Sequence, residues 1–332
     1  CEVCLFDAVT GERRRVAAAA PCARPLALAQ DGRRLLSSLD EELILADTLG
    51  GEILARMPFG VGEPAEGRRC AALASDGSRA ALATADHALW LVDLASSTVE
   101  LLAEPRNPVV SLLFSPDARL LAVGAASRLR LYDCEQRRQR WEKWSPTTSF
   151  HGMVFEPTRD VLIAGVGGIQ FFDLDTGEAR TVWSQYTLKT QGYGSAYDFA
   201  IVPGGQLLAV LFNYGHLRLM DLDTHEVRAS FDHPGKRRQV SLAVAPSSET
   251  LMTCGRSDET LRIWGAKPQP AEILQGESAS IYPLSISPDG ALLATGAWDG
   301  RARIWEVGSG RLIAALPHKG YGDSIAFAPD GR

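Results

Sequence analysis

One strand pattern recurs eight times along this chain at intervals of about forty residues, and a period of that length restricts the fold to repeat arrays. Each copy is largely apolar and closes on Asp7, Asp47, Asp93, Asp133, Asp173, Asp221, Gly265 or Glu306. Three further short strands accompany it in each unit, with turn chemistry between them. The fullest copy runs from Ile281 to Leu316. There Pro288, Asp289 and Gly290 make the first turn, Trp298, Asp299 and Gly300 the second, and Gly308, Ser309 and Gly310 the third. Asp-Gly pairs supply the positive φ that tight hairpins require. Comparable first turns stand at Gln30–Gly32, Ser75–Gly77, Ser115–Ala118, Pro203–Gly205 and Pro329–Gly331. No stretch sustains a 3.6-residue apolar period, so the spacing predicts an all-β chain with essentially no helix.

The 332 residues exceed the usual size of one domain, yet the repeat runs from end to end. Units that pack only on their neighbours escape that ceiling, so residues 1–332 read as a single domain. A hydrophobic content of 45% is ample for a packed interior. No apolar run reaches the eighteen or so residues of a membrane helix. A net charge of −6 argues against broad nucleic-acid binding. Cys1, Cys4, Cys22, Cys70, Cys134 and Cys254 show neither disulfide-framework nor zinc spacing, and buried thiols in a reducing cytoplasm are expected. The chain opens on Cys1, which reads as a fragment or processed product of a longer protein.

The strand, Asp-containing turns and Trp-terminated third strand resemble the WD-repeat β-propeller family. The resemblance is closest in the last two full copies, where Trp264 and Trp305 end the third strand; earlier copies have Tyr132, Phe172 and Met220 instead. It implies blades of four antiparallel strands around a central channel. Seven complete units span about Pro25 to Leu316. Before them lie a third and a fourth strand (Glu2–Asp7, Glu12–Ala18), and after them a first strand (Asp323–Ala328). Joined, these would form an eighth blade completed by both chain ends, the favoured expectation because closure pairs exposed strand edges. The alternative is seven blades with leftover strands at each end.

In that family a turn Asp, a Ser or Thr four residues earlier, the Trp six later and a His form a hydrogen-bonded set. Thr295, Asp299 and Trp305 match it, with Glu277 at the His place. Cys254, Asp258 and Trp264 match in the previous copy, with His233 as the nearby partner. The trio His233, Cys254 and Asp258 could be read as Cys-His-Asp catalysis, but buried indole and carboxylate groups need partners in any case. The six histidines never fall at metal-ligand spacing, and neither a nucleophile elbow nor a phosphate loop occurs. The segment Asp173–Trp183 is similar to the tryptophan-docking motif of quinoprotein propellers, but occurs cleanly once, so Trp183 is expected to pack between blades. No cofactor, no metal and no catalytic residue is expected.

By the same resemblance, the links between units and the second turns share one face. The segment Trp183–Ser195 is longer than a link requires and carries Tyr186, Lys189 and Tyr193. Tyr214, Arg237, Arg256, Trp298 and Tyr321 fall on corresponding segments. Tyr, Trp and Arg dominate binding hot spots. A second long loop, Phe59–Arg69, is Gly- and Glu-rich and has no assigned role. The expectation is a non-catalytic scaffold, monomeric within a larger chain, engaging a protein or peptide rather than nucleic acid or membrane. The alternative is a quinoprotein-like enzyme or small-molecule binder using the channel; the small apolar and hydroxyl groups of the first strands suit acid–base work poorly.

Overall fold

In the computed structural model, each copy of the repeat becomes one antiparallel sheet. The structure describes residues 5–6, 13–14, 24–28, 34–39, 42–47, 52–58, 71–74, 76–84, 87–96, 98–104, 107–149, 152–156, 158–166, 168–212, 214–232, 239–245, 250–255, 260–265, 272–274, 281–317, 325 and 327. The chain divides into two units, Arg15–Arg180 with Cys1–Leu5, and Thr181–Arg332 with Phe6–Arg14.

Strands β1 (Leu5–Phe6) and β2 (Arg13–Arg14) pair as a two-stranded sheet. The first blade is β3 (Arg24–Leu28), β4 (Arg34–Leu39), β5 (Glu42–Asp47) and β6 (Ile53–Pro58). The second is β7 (Ala71–Leu73), β8 (Arg79–Ala83), β9 (Leu89–Asp93) and β10 (Thr98–Ala103). The third has three strands, β11 (Val109–Phe114), β12 (Leu120–Asp133) and β13 (Arg138–Ser149). The fourth comprises β14 (Met153–Glu156), β15 (Val161–Gly165), β16 (Gly168–Asp173) and β17 (Ala179–Ser184). A helix, α1 (Gln185–Thr190), precedes the fifth: β18 (Ala196–Ile201), β19 (Leu207–Phe212), β20 (His216–Asp221) and β21 (Val227–Asp232). The sixth is β22 (Gln239–Val244), β23 (Leu251–Gly255), β24 (Leu261–Trp264) and β25 (Glu272–Leu274). The seventh is β26 (Ile281–Ile286), β27 (Leu292–Ala297), β28 (Arg301–Glu306) and β29 (Leu312–Pro317). In each blade the strands follow in sequence order across the sheet. The fold is a β-propeller with seven blades.

Three expectations need correction. The eighth blade is not formed among the described residues: β1 pairs only with β2. Of Asp323–Ala328, only Ile325 and Phe327 are described, and they pack on the seventh blade, where the Phe327 N–H reaches Ser285 Oγ at 3.3 Å. The third blade departs from four strands because β12 continues through its expected turn, with Ser127 at φ 62° and a register shift between Ala126 and Arg128. The third correction is α1 itself, whose local causes are given below.

Apolar interiors lie between successive sheets. Leu36, Leu43 and Met57 of the first blade pack with Ala80, Leu82 and Val92 of the second. In the other unit, Leu217, Leu219 and Phe231 of the fifth meet Leu251 and Trp264 of the sixth. Cys254, Leu261 and Ile263 then meet Ile281, Leu293 and Trp305 of the seventh. A sheet with two apolar faces must be covered on both, and its neighbours do this. Tyr132, Phe172 and Met220 are all buried, so the repeat tolerates any large apolar side chain at that place. Polar clasps add to the contact: Arg79 Nη1 donates to the Ala118 carbonyl of the next blade at 3.0 Å. Trp141 lies over Gly177 and donates from Nε1 to the Leu174 carbonyl at 3.1 Å. The Asp173–Trp183 segment is thus the receiving half of an indole dock whose donor is Trp141.

The Asp that closes the third strand has a repeated task. Asp93, Asp133, Asp173 and Asp221 each accept, at Oδ1, the backbone N–H groups two and three residues on, at 2.7–3.1 Å. All four carboxyls are held below the usual range. In Asp93, Asp173 and Asp221 the backbone N–H of residue i+3 is the largest cause; in Asp133 burial pushes upward but is outweighed by Gln136 N–H and Arg140. A depressed carboxyl contributes stability that is complete above its unfolded value, near pH 4, and is lost as pH falls through the folded one. Unfolding midpoints should therefore fall steeply below about pH 4. Asp133→Asn should lower stability at neutral pH and flatten that acid limb. A midpoint independent of pH between 2.5 and 6 would refute the assignment.

Candidate interaction surface

In four consecutive antiparallel strands, the start of the first, the second turn and the end of the fourth share one end of the sheet. This end is called the connecting end here. It is common to the fifth, sixth and seventh blades. Asp198 Oδ2, near the start of β18, accepts the N–H of Leu242 in β22 at 3.2 Å. The Cys254 thiol, beside the second turn of the sixth blade, donates to the carbonyl of Ile281 at the start of β26 at 3.7 Å.

α1 sits at that end, and its sequence explains it. Ser184 is the N-cap: its Oγ accepts the Thr187 N–H at 3.1 Å. Trp183 and Leu188 occupy the two positions of a hydrophobic staple, and Leu188 is 2% exposed. Gly192 at φ 73° ends the helix, and the N–H groups of Gly192 and Tyr193 bond the carbonyls of Lys189 and Leu188, both at 3.0 Å. This is a Schellman closure, for which glycine's tolerance of positive φ is needed. The six-residue helix was masked in the sequence by its brevity, although the Ser cap, the staple pair and the closing Gly were all present.

The closure delivers Tyr193 into an aromatic stack. Its ring centroid lies 5.9 Å from Trp183, 5.1 Å from Phe212 and 5.2 Å from His216. The Arg218 guanidinium covers it at 4.4 Å. Asp232 pairs with both Arg218 and His216 at 2.7 Å; burial pushes its carboxyl upward, but these two partners outweigh it and hold it below the usual range. Tyr193 is thus an anchor, half-buried, that fastens α1 to the second turn of the fifth blade. That turn carries Tyr214, between Phe212 and His216.

The other expected partner-binding residues separate by exposure. Tyr186 is 78% exposed, Tyr214 48% and Trp298 43%, and Lys189 is exposed. All four lie at the connecting end of the second unit. Arg237, Arg256 and Tyr321 lie outside the described residues, as do His233, Asp258, Glu277 and the loop Phe59–Arg69.

The buried indoles of the sixth and seventh blades bond at different sequence spacings. Trp305 Nε1 donates to Thr295 Oγ1 at 3.1 Å, both fully buried. Asp299 holds Arg303 at 2.5 Å. In the sixth blade the indole of Trp264 donates to Thr253 Oγ1 at 3.0 Å, not to Cys254. Sheet register explains this: Thr253 stands opposite Arg262 as Thr295 stands opposite Arg303. The sixth blade carries one extra residue between its Thr and Trp, so counting back from Asp258 lands on Cys254. Arg130, Arg218, Arg262 and Arg303, all buried, occupy the same third-strand place in four blades, a regularity visible in the repeat but not singled out from it.

Chemistry at these groups is constrained. Burial pushes the Cys134 thiol up to about 12, and Cys134 and Cys254 are both buried thiols outside any disulfide. Among the described residues, no three His, Cys, Asp or Glu side chains converge as a metal site, and no helix is long and apolar enough to cross a membrane.

The WD domain, G-beta repeat, matches residues 269–306. Periodic tryptophan protein 2 of Arabidopsis thaliana is 22% identical over 70% of this chain and 26% of its own length. Serine-threonine kinase receptor-associated protein of Gallus gallus is 25% identical over 73% of this chain and 67% of its own. Apoptotic protease-activating factor 1 of Rattus norvegicus is 29% identical over 41% of this chain and 11% of its own. The chain thus spans about a quarter or less of the first and third of these relatives. Among solved structures, the computationally designed Ika8 protein superposes with a TM-score of 0.70 at 15% identity, over 92% of this chain and 91% of that one. The matched repeat, the run of antiparallel blades and the buried Thr–Trp pairs agree: this chain is a seven-bladed β-propeller similar to the WD-repeat proteins.

Proposed function

We propose that this chain is a non-catalytic scaffold that presents the connecting end of its blades to a protein or peptide partner. The observation that carries this reading is the placement of Tyr186, Tyr214 and Trp298, three well-exposed aromatics, at one end of one unit. Exposed aromatics in solvent are the side chains that most often become hot spots on binding, because they bring large contact area with little rotamer entropy to lose. The related Serine-threonine kinase receptor-associated protein is named for an association of this kind.

The test is affinity capture with the intact chain, compared with the variant carrying Tyr186→Ala, Tyr214→Ala and Trp298→Ala. All three side chains are solvent-facing, so the melting temperature should stay within about 2 °C. Partner recovery should drop tenfold or more, roughly the loss of one strong hot spot. Undiminished capture by the triple variant would remove this end from consideration.

A further inference from the structure

We infer that α1 is the docking element of this surface and that its occupant is an acidic protein segment with an apolar anchor residue. This inference rests on the scaffold reading above and names the partner's chemistry.

The first line of support is the cost of building α1. A helix of six residues does not persist alone in water. Here four devices hold it: the Ser184 cap, buried Leu188, the Gly192 closure and the stack around Tyr193. The link from Ser184 to Ala196 is also longer than the corresponding link from Asp232 to Gln239. All this ordering leaves Tyr186 and Lys189, three residues apart on one helix face, standing in solvent. A side chain ordered before contact forfeits less entropy when a partner arrives.

The second line is charge. At the connecting end of the second unit, Asp232 and Asp299 are each paired with a buried arginine, Arg218 and Arg303. Lys189 and Arg301 are exposed there and form no ion pair among the described residues. The opposite end is rich in carboxylates, with Asp221, Asp223, Glu226, Asp289 and Glu306 among the described residues. At the connecting end of the second unit, Lys189 and Arg301 thus share a surface with Tyr186, Tyr214 and Trp298. Complementary charge steers encounter and selects among partners. Two cations set among aromatics suit the few carboxylates of a protein segment better than the continuous phosphates of a nucleic acid, which require many cationic contacts.

The experiment pans a phage-displayed library of random dodecapeptides against the intact chain. Retained peptides should be enriched in Asp and Glu around an aromatic or aliphatic residue. Their binding should weaken about tenfold with Lys189→Glu, and measurably with Arg301→Gln and with added salt. Arg301 lies outside the helix, so its effect cannot come from disruption of α1. Enrichment of neutral or basic peptides, or affinities unmoved by both substitutions, overturns the acidic occupant while leaving the scaffold reading intact. An empty selection overturns both. Binding of a single-stranded dodecanucleotide in preference to the acidic peptides overturns the protein occupant.

Discussion

Trp305→Ala lowers stability by about 3–5 kcal/mol, the range for truncating a fully buried large aromatic side chain. Trp305 is the largest side chain with no solvent exposure in the described structure, and it fills the interior between the sixth and seventh blades beside Cys254, Ile263 and Ile281. Its removal leaves a void that these neighbours, held in opposite sheets, can close only partly. Thr295→Val separates the polar contribution from the packing. Its shape is nearly that of threonine, but it takes the acceptor from the indole N–H at 3.1 Å, an unpaired buried donor costing about 1–3 kcal/mol. Urea unfolding followed by tryptophan fluorescence and by circular dichroism measures both. A Trp305→Ala midpoint equal to that of the parent would mean that the sixth and seventh blades do not share an interior.

Gly177→Ala is the second large effect, at about 2–4 kcal/mol. Two costs combine. Gly177 has φ 67°, a conformation costing an L-residue roughly 1 kcal/mol or more. A β-carbon there would also sit 2.6 Å and 2.8 Å from ring atoms of Trp141, closer than van der Waals contact allows. The indole, stacked on Phe172 at 5.8 Å and bonded to the Leu174 carbonyl, has to leave its dock. Gly205→Ala is the control: its φ is 69° but nothing lies within 4 Å of the added carbon. It should show the backbone cost alone. Equal losses for the two variants would show that the Trp141 dock contributes nothing. In a double-mutant cycle, Gly177→Ala should cost less when Trp141 is already alanine.

The strand pattern was legible because strands alternate and their turns need Gly and Asp at set places. The Asp that closes the third strand was visible for the same reason: its short side chain places an acceptor oxygen within reach of the turn N–H groups two and three residues on. What escaped reading depended on spacing that shifts by one residue. Counting from Asp258 chose Cys254, whereas pairing across β23 and β24 chose Thr253. α1 escaped because a helix of six residues lacks the length for a period to show. Tyr193 was legible as an aromatic in a long link but not as an anchor, since its stack joins Trp183, Phe212, His216 and Arg218 from separate strands. The blade count turned on whether strands at the two extremes join, which local pattern does not specify.

Because each greasy layer is jointly owned by two adjacent sheets, a copy of the repeat answers only to the copies on either side of it. Lineages can therefore rewrite one unit at a time, provided the facing side chains keep their combined volume. That freedom accounts for a chain in which one stretch matches the WD repeat while the third, fourth and fifth units spell the same sheet with tyrosine, phenylalanine or methionine. It also leaves the solvent-facing rims open to novelty, and an inserted helical turn costs nothing to the layers beneath it.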